Sequence, residues 1–205
     1  MLILDCDGVM FDSKEANIAY YNHILAELGL PPMDEEEVEF IHSSTAEEGV
    51  SYLLERRGFR DVERYRKVRE GLDYLPFIRL MRPEPHLREL LQGVPPGVRK
   101  AISTNRTYTI GHVLEHFGLK DHFDYVVSAL DVSNPKPHPE PLLKVLGHFG
   151  CAPREALFVG DTERDSRASQ RAGVPFVAYK NRDLEADYYI EDLLDVLEVI
   201  RSRRP

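Results

Sequence analysis

The sequence predicts an α/β fold, a doubly wound parallel sheet with an inserted all-helical subdomain, and three observations predict it. Apolar runs of strand length recur and stop at polar residues. Helical patterns closed by glycine separate them. The stretch 14–82 breaks the alternation with helical periodicity alone.

The first strand is expected at residues 2–4, ending at Asp5. Others are expected at 98–103 before Thr104, 125–130 before a proline-rich loop, 156–159 before Gly160-Asp161, and 174–179 before Lys180. Continuous apolar runs of this kind suit parallel strands, which are covered on both faces. Between them, Ile110, Val113, Leu114 and Phe117 share a helical face closed by Gly118. Leu142, Leu143, Leu146 and Phe149 share another, closed by Gly150. Glycine just past the last periodic residue is the expected helix stop.

Within the insertion, Ile18, Tyr21, Leu25 and Leu28 lie on one face, and Gly29 with Pro31-Pro32 ends that helix. Asp34 and Glu37 form a capping box, stapled by Met33 and Val38. Ser44 with Glu47 reads as a second box, opening a helix that carries Val50, Leu53 and Leu54 to Gly58. Val62, Tyr65, Val68 and Leu72 continue the pattern to Pro76. The division expected is a core of residues 1–13 and 83–205 with a helical insertion at 14–82.

Composition narrows the function. Lys and Arg number 26 against 35 Asp and Glu, a formal charge of −9, which disfavours nucleic acid and anionic membranes as partners. Hydrophobic residues make up 42% and charged ones 30%, the balance of a globular protein rather than a disordered one. Two cysteines, Cys6 and Cys151, make no disulfide framework, so a reducing cytoplasm is the expected compartment. Charge arrives too early at Asp5 for a signal peptide, and no apolar run approaches membrane-spanning length. The expected form is a monomer or a weak homodimer.

In open parallel sheets ligands bind beyond the carboxyl ends of the strands. The residues expected there are Asp5, Thr104, Lys136 and Asp161. Asp5 and Asp7, two apart in extended chain, point to one side, and Gly8 lets the chain turn. A carboxylate at phosphorus gives an aspartyl-phosphate, and a neighbouring carboxyl can protonate the leaving alkoxide and activate water. Two acids facing a phosphate dianion need a divalent cation, and an oxygen-lined site suits Mg²⁺. Each feature also has a plainer reading. Asp5 to Gly8 is a strand-ending turn, Asp161 and Asp165 are an acidic helix N-terminus, Thr104 is a helix cap, and Lys136 is a solvated lysine between prolines. Four such coincidences at four strand ends point instead to phosphoryl transfer.

The order of these segments resembles the haloacid dehalogenase superfamily, in its phosphatase branch with a helical cap, similar to phosphoglycolate phosphatases. The carrying residues are Asp5-x-Asp7-Gly8-Val9-x-x-Asp12-Ser13, Thr104-Asn105, Lys136-Pro137-x-Pro139 and Gly160-Asp161-x-x-x-Asp165. The resemblance implies a Rossmann-like core with Asp5 as nucleophile and Asp7 as acid and base. It implies Mg²⁺ on Asp5, the Asp7 carbonyl and Asp161, with Asp165 orienting that shell. Thr104 and Lys136 then grip the phosphoryl group of a small phosphorylated metabolite. Asn105, and in the cap Ser43 and Ser44, are the expected substrate contacts, with His42 beside them. The presence of Asp7 argues against dehalogenation. The insertion's two lysines, Lys14 and Lys67, fall outside 42–45, which argues against Schiff-base chemistry. A sugar phosphomutase of the β-phosphoglucomutase kind and a phospho-accepting signalling receiver are the alternatives. The receiver has no task for Asp7 or the insertion.

Overall fold

The structure, a computed structural model, describes residues 1–203; the side chains of His42 and Ser43 lie outside the described residues. The chain folds as two compact units, one of residues 1–12 and 83–205 and one of residues 13–82.

The first unit is built on six parallel strands. In chain order the strands among the described residues are β1 (Leu2–Leu4), β2 (Phe11–Asp12), β3 (Arg82–Pro83), β4 (Lys100–Ser103), β5 (Tyr125–Val127), β6 (Leu157–Gly160), β7 (Phe176–Tyr179) and β8 (Tyr188–Ile190). The short β2 and β3 lie at the two chain crossings between units. The sheet runs β5-β4-β1-β6-β7-β8, with Ile3 opposite Ala101 on one side and Phe158 on the other. The chain thus builds outward from β1 in one direction and then in the other, which is the doubly wound order. The gap beyond β1 is its topological switch point. All three residues of β1 are fully buried, as a run covered on both faces must be.

Observed strands are shorter than the apolar runs. The run 125–130 leaves the sheet after Val127, because Ser128 turns the chain into a 3₁₀ segment Ala129–Asp131 by binding the Asp131 carboxylate through its amide and hydroxyl. Leu130 is consequently exposed. β8 is not among the expected strands; it is an edge strand of which only Ile190 is buried. Helix periodicity is realised with one shift of face. In the helix Glu140–Phe149, Leu142, Val145 and Leu146 are buried, whereas Leu143, expected inside, is exposed. A stripe at i, i+3 and i+4 leaves no room for i+1.

The second unit holds α1 (Lys14–Glu27), α2 (Glu35–Ser43), α3 (Ala46–Arg56), α4 (Val62–Glu70) and α5 (Leu75–Ile78). Tyr20, Tyr21 and Ile24 carry much of the buried face of α1, with Ile18 only half-buried. Tyr20 meets Tyr21, Tyr74 and Phe77 edge-on at centroid distances of 5.2, 5.3 and 5.6 Å. Three expectations shift. The second capping box forms one residue later, between Thr45 and Glu48, while the Ser44 hydroxyl donates to the Phe40 carbonyl. α4 buries no residue, and Val62 is exposed, because the rest of that helix is mostly charged. Pro76 opens α5 instead of ending α4, since the first turn of a helix does not need its missing N–H.

The Asp34–Glu37 box forms as expected and does more than cap. The Arg57 guanidinium binds both Glu37 oxygens, at 2.6 and 2.8 Å, and donates to the carbonyls of Pro31, Pro32 and Leu53. That network ties the α1–α2 turn to α2 and α3. The Arg57 hydrogen bonds hold the Glu37 carboxyl below the ordinary carboxylate range despite its burial. A depressed folded pKa stabilises fully above the unfolded value and is lost as pH falls through the folded one. Glu37→Gln should therefore cost roughly 1.5–3 kcal/mol at pH 7, the worth of hydrogen bonds to a charged group. Urea denaturation should show the gap from wild type closing as pH drops below the normal glutamate range. Glu36→Gln, at the exposed Arg56 pair, should change nothing measurable.

Candidate active site

Three strand ends and one loop of the first unit deliver the site. Asp5 follows β1 and keeps one sheet bond, its N–H donating to the Val159 carbonyl. Its Oδ1 accepts from the Cys6 N–H at 2.7 Å and meets the Lys136 ammonium at 2.9 Å. Lys136 comes from the loop between β5 and the Glu140–Phe149 helix, and is buried. Its three donors are spent on Asp5, on Asp165 Oδ1 at 2.6 Å and on the Ser103 carbonyl at 3.0 Å. Asp161 follows β6, and Asp165 lies in the first turn of the next helix, Glu163–Ala172. The other Asp165 oxygen accepts from the amide and hydroxyl of Thr162, which is that helix's cap. One residue is thus both a cap and half of a buried ion pair.

Asp5, Asp161 and Asp165 bring one carboxylate oxygen each within 4.8 Å of one another. Two glycines permit that approach. Gly8 holds a left-handed backbone, φ +76°, and a Cβ there would lie 2.0 Å from Asp161 Oδ2. A Cβ on Gly160 would lie 2.4 Å from that of Asp165.

Asp7 stands apart from this trio. Its carboxylate pairs at 2.6 Å with the buried guanidinium of Arg106. Arg106 went unnoticed in the sequence, where nothing but its place two residues after Thr104 distinguishes it from a surface arginine. Thr104 is buried and still bonded to β5 through its N–H; its Oγ1 accepts from the Arg106 N–H. It caps no helix, the next one being Thr109–His116. Asn105 binds the Lys136 main chain at both ends, Nδ2 donating to its carbonyl at 3.0 Å and Oδ1 accepting from its N–H at 3.1 Å. In the second unit, Ser44 lies in the turn between α2 and α3.

The electrostatics are those of a cation-deficient cluster. Burial raises the Asp5 carboxyl to about 7; Lys136 pulls it down, and Asp165 and Asp7 push it back up. Burial also drives Asp161 well above its usual range, with Asp165 and Asp5 adding to it. Burial works against the Lys136 charge, yet Asp165 and Asp5 hold its pKa above the ordinary lysine value. If all four carboxyls were ionised they would outnumber the ammonium and guanidinium paired with them, Lys136 and Arg106, by two, and that imbalance favours neutral acids at Asp5 and Asp161. Asp161 Oδ1 is buried with no hydrogen-bond partner among the described residues. A hard dication fits this donor set, because it supplies both the missing charge and a partner for that oxygen.

A family model described as haloacid dehalogenase-like hydrolase matches residues 2–179. A solved hydrolase of that superfamily from Geobacter sulfurreducens is 42% identical, covers 97% of each chain and superposes with a TM-score of 0.85. A phosphoglycolate phosphatase of Yersinia pestis is 29% identical over 84% of this chain and 77% of its own. A pyrophosphatase of Oceanobacillus iheyensis is 26% identical over 97% and 95%. Among the described residues no helix is long and apolar enough to cross a membrane.

The glycine beneath Asp161 can be tested directly. Gly97 shares the left-handed conformation, φ +86°, with open space around its missing Cβ among the described residues. Gly97→Ala should cost the backbone strain alone, about 1–2 kcal/mol. Gly8→Ala should cost visibly more in the same denaturation series, because the methyl must also displace a carboxylate.

Proposed function

The chain belongs to the haloacid dehalogenase-like hydrolase family, and from that premise we propose that it is a magnesium-dependent phosphomonoesterase acting on a small phosphorylated metabolite. The observation that carries this reading is the clustering of Asp5, Asp161 and Asp165 at the sheet's switch point, with Lys136 bound to Asp5 and Asp165 and Asp7 two residues beyond Asp5.

Asp5 is the nucleophile. Its Oδ1 is held by Cys6 and Lys136, which fixes the carboxylate and leaves Oδ2 to attack phosphorus. The ester P–O bond breaks as Asp7 gives its proton to the leaving alkoxide. Asp7, now a carboxylate, takes a proton from the water that attacks the aspartyl-phosphate, releasing phosphate and restoring Asp5. Arg106, paired with the Asp7 carboxylate, favours the ionised form that takes the proton from water in the second step. Thr104 donates its hydroxyl proton to a phosphoryl oxygen, Lys136 supplies positive charge beside Asp5 with its own donors already engaged, and Asn105 steadies the Lys136 main chain. Asp5, the Asp7 carbonyl and Asp161 would hold Mg²⁺, with Asp165 orienting the set through Lys136. When bound, the ion neutralises negative charge on the phosphoryl oxygens and the acids. The helical unit is assigned the choice of leaving group, with Ser43 and Ser44 as its candidate contacts.

The names of the relatives make phosphoglycolate and pyrophosphate the first compounds to compare with sugar phosphates, as kcat/KM in Mg²⁺. Chelation should abolish turnover and Mg²⁺ should restore it; full turnover in metal-free enzyme overturns the reading. Asp7→Asn should lose about 10²–10⁴-fold on an ordinary ester, the usual worth of general acid–base catalysis. With an activated ester, rapid quench should trap phosphoprotein in Asp7→Asn and none in Asp5→Asn. Phosphate on Asp5→Asn protein would show that the nucleophile lies elsewhere.

A further inference from the structure

Asp161 sits between two elements and belongs to neither. β6 ends at Gly160, and Thr162 is already the cap of the following helix. Its carbonyl needs a partner from outside both. That partner is the side chain of Asn181, whose Nδ2 donates to the Asp161 carbonyl at 2.9 Å. Asn181 Oδ1 in turn accepts from the Asp183 N–H, so the amide is fixed at both ends.

The chain is bent to deliver this contact. β7 pairs with β6 in register Gly160 to Ala178 and ends at Tyr179. Lys180 then takes a left-handed conformation, φ +53°, which a lysine adopts only under constraint. Three bonds supply the constraint. The Lys180 N–H donates to the Ile190 carbonyl, and its ammonium and the Tyr179 hydroxyl both donate to one Glu84 oxygen at 2.6 Å. A strained residue held by its surroundings marks a place where geometry serves a purpose. Here the bend swings Asn181 back over the end of β6.

We propose that Asn181 is a positioning residue: by holding the Asp161 main chain, it aims the Asp161 carboxylate at the divalent cation. The proposal rests on the metal reading above and extends it to a residue two positions beyond the segment matched by the family model. The contacts that carry this role are to main chain alone, the Asp161 carbonyl and the Asp183 N–H. The effect of Asn181 appears in cation affinity, where groups that orient a ligand typically contribute about 10–100-fold.

The test is Mg²⁺ titration of the full chain by calorimetry, well below every variant's melting midpoint, with thermal melts of the metal-free proteins. Asn181→Ser keeps a hydroxyl able to accept from the Asp183 N–H but too short to reach the Asp161 carbonyl. It should melt near wild type and bind Mg²⁺ about 10–100-fold more weakly. Asn181→Ala should bind as weakly or more so. Lys180→Gly preserves the left-handed turn while removing the ammonium, and should keep the wild-type Kd. Wild-type affinity in both Asn181 variants, whatever their melting points, overturns the proposal. So does an equal loss in Lys180→Gly, which would assign the effect to the turn. If wild type itself takes up no Mg²⁺, the metal reading fails and the proposal falls with it.

Discussion

The site depends on one buried ammonium. Lys136 lies between Asp5 and Asp165 with its third donor on the Ser103 carbonyl, out of reach of water. Taking those charges out of water is expensive, and mutual attraction offsets the cost only when geometry is good and each donor is matched. That requirement reaches far into the fold. β1 must deliver Asp5, β4 the Ser103 carbonyl, the helix after β6 Asp165, and the loop before residue 140 the lysine itself. Elements distant in sequence are brought to one point, and misplacing any of them leaves a buried charge unmatched.

Carboxyl groups outnumber the two cations there, and the backbone makes room for them. Gly8 and Gly160 stand where any side chain would strike Asp161 or Asp165. Thr162 caps its helix with the same carboxylate that binds Lys136. Such an arrangement trades stability for a cluster of acids that a folded interior would otherwise avoid. A divalent cation would supply the charge that the cluster lacks.

The first unit and the helical unit answer to different constraints. The core residues are locked by burial and ion pairing, so they tolerate little change and specify a reaction type. The helical unit is held by aromatic contacts around Tyr20 and by the Glu37–Arg57 network, neither of which is tied to phosphoryl chemistry. The α2–α3 turn lies outside that network, held instead by the Thr45–Glu48 box. The relatives carry names for different phosphorylated compounds, as expected where one scaffold's chemistry is constant and its selection is not.

The sequence by itself determined what local chemistry controls. Continuous apolar runs declare buried parallel strands, and an acid or hydroxyl at the end of each declares a candidate site residue. Asp5, Thr104 and Asp161 were legible in this way, Asp165 by its place four residues after Asp161, and Lys136 by its proline-bound loop. The Asp34–Glu37 cap was legible too, because every one of its bonds lies within four residues. Tertiary structure decided whatever rests on partners far apart along the chain. Arg106 meets Asp7 across 99 positions, Glu84 constrains Lys180 across 96, and Asn181 reaches Asp161 across 20. None of these pairs shares a period or a motif, so an arginine, a glutamate and an asparagine each read as surface. Between neighbours the competition was finer. Ser44 and Thr45 both offer a capping hydroxyl three residues before a glutamate, and Ser44 turned instead to the Phe40 carbonyl. Local rules name the residues that can make a bond; the packed chain decides which of them do, because only there are the competing partners present.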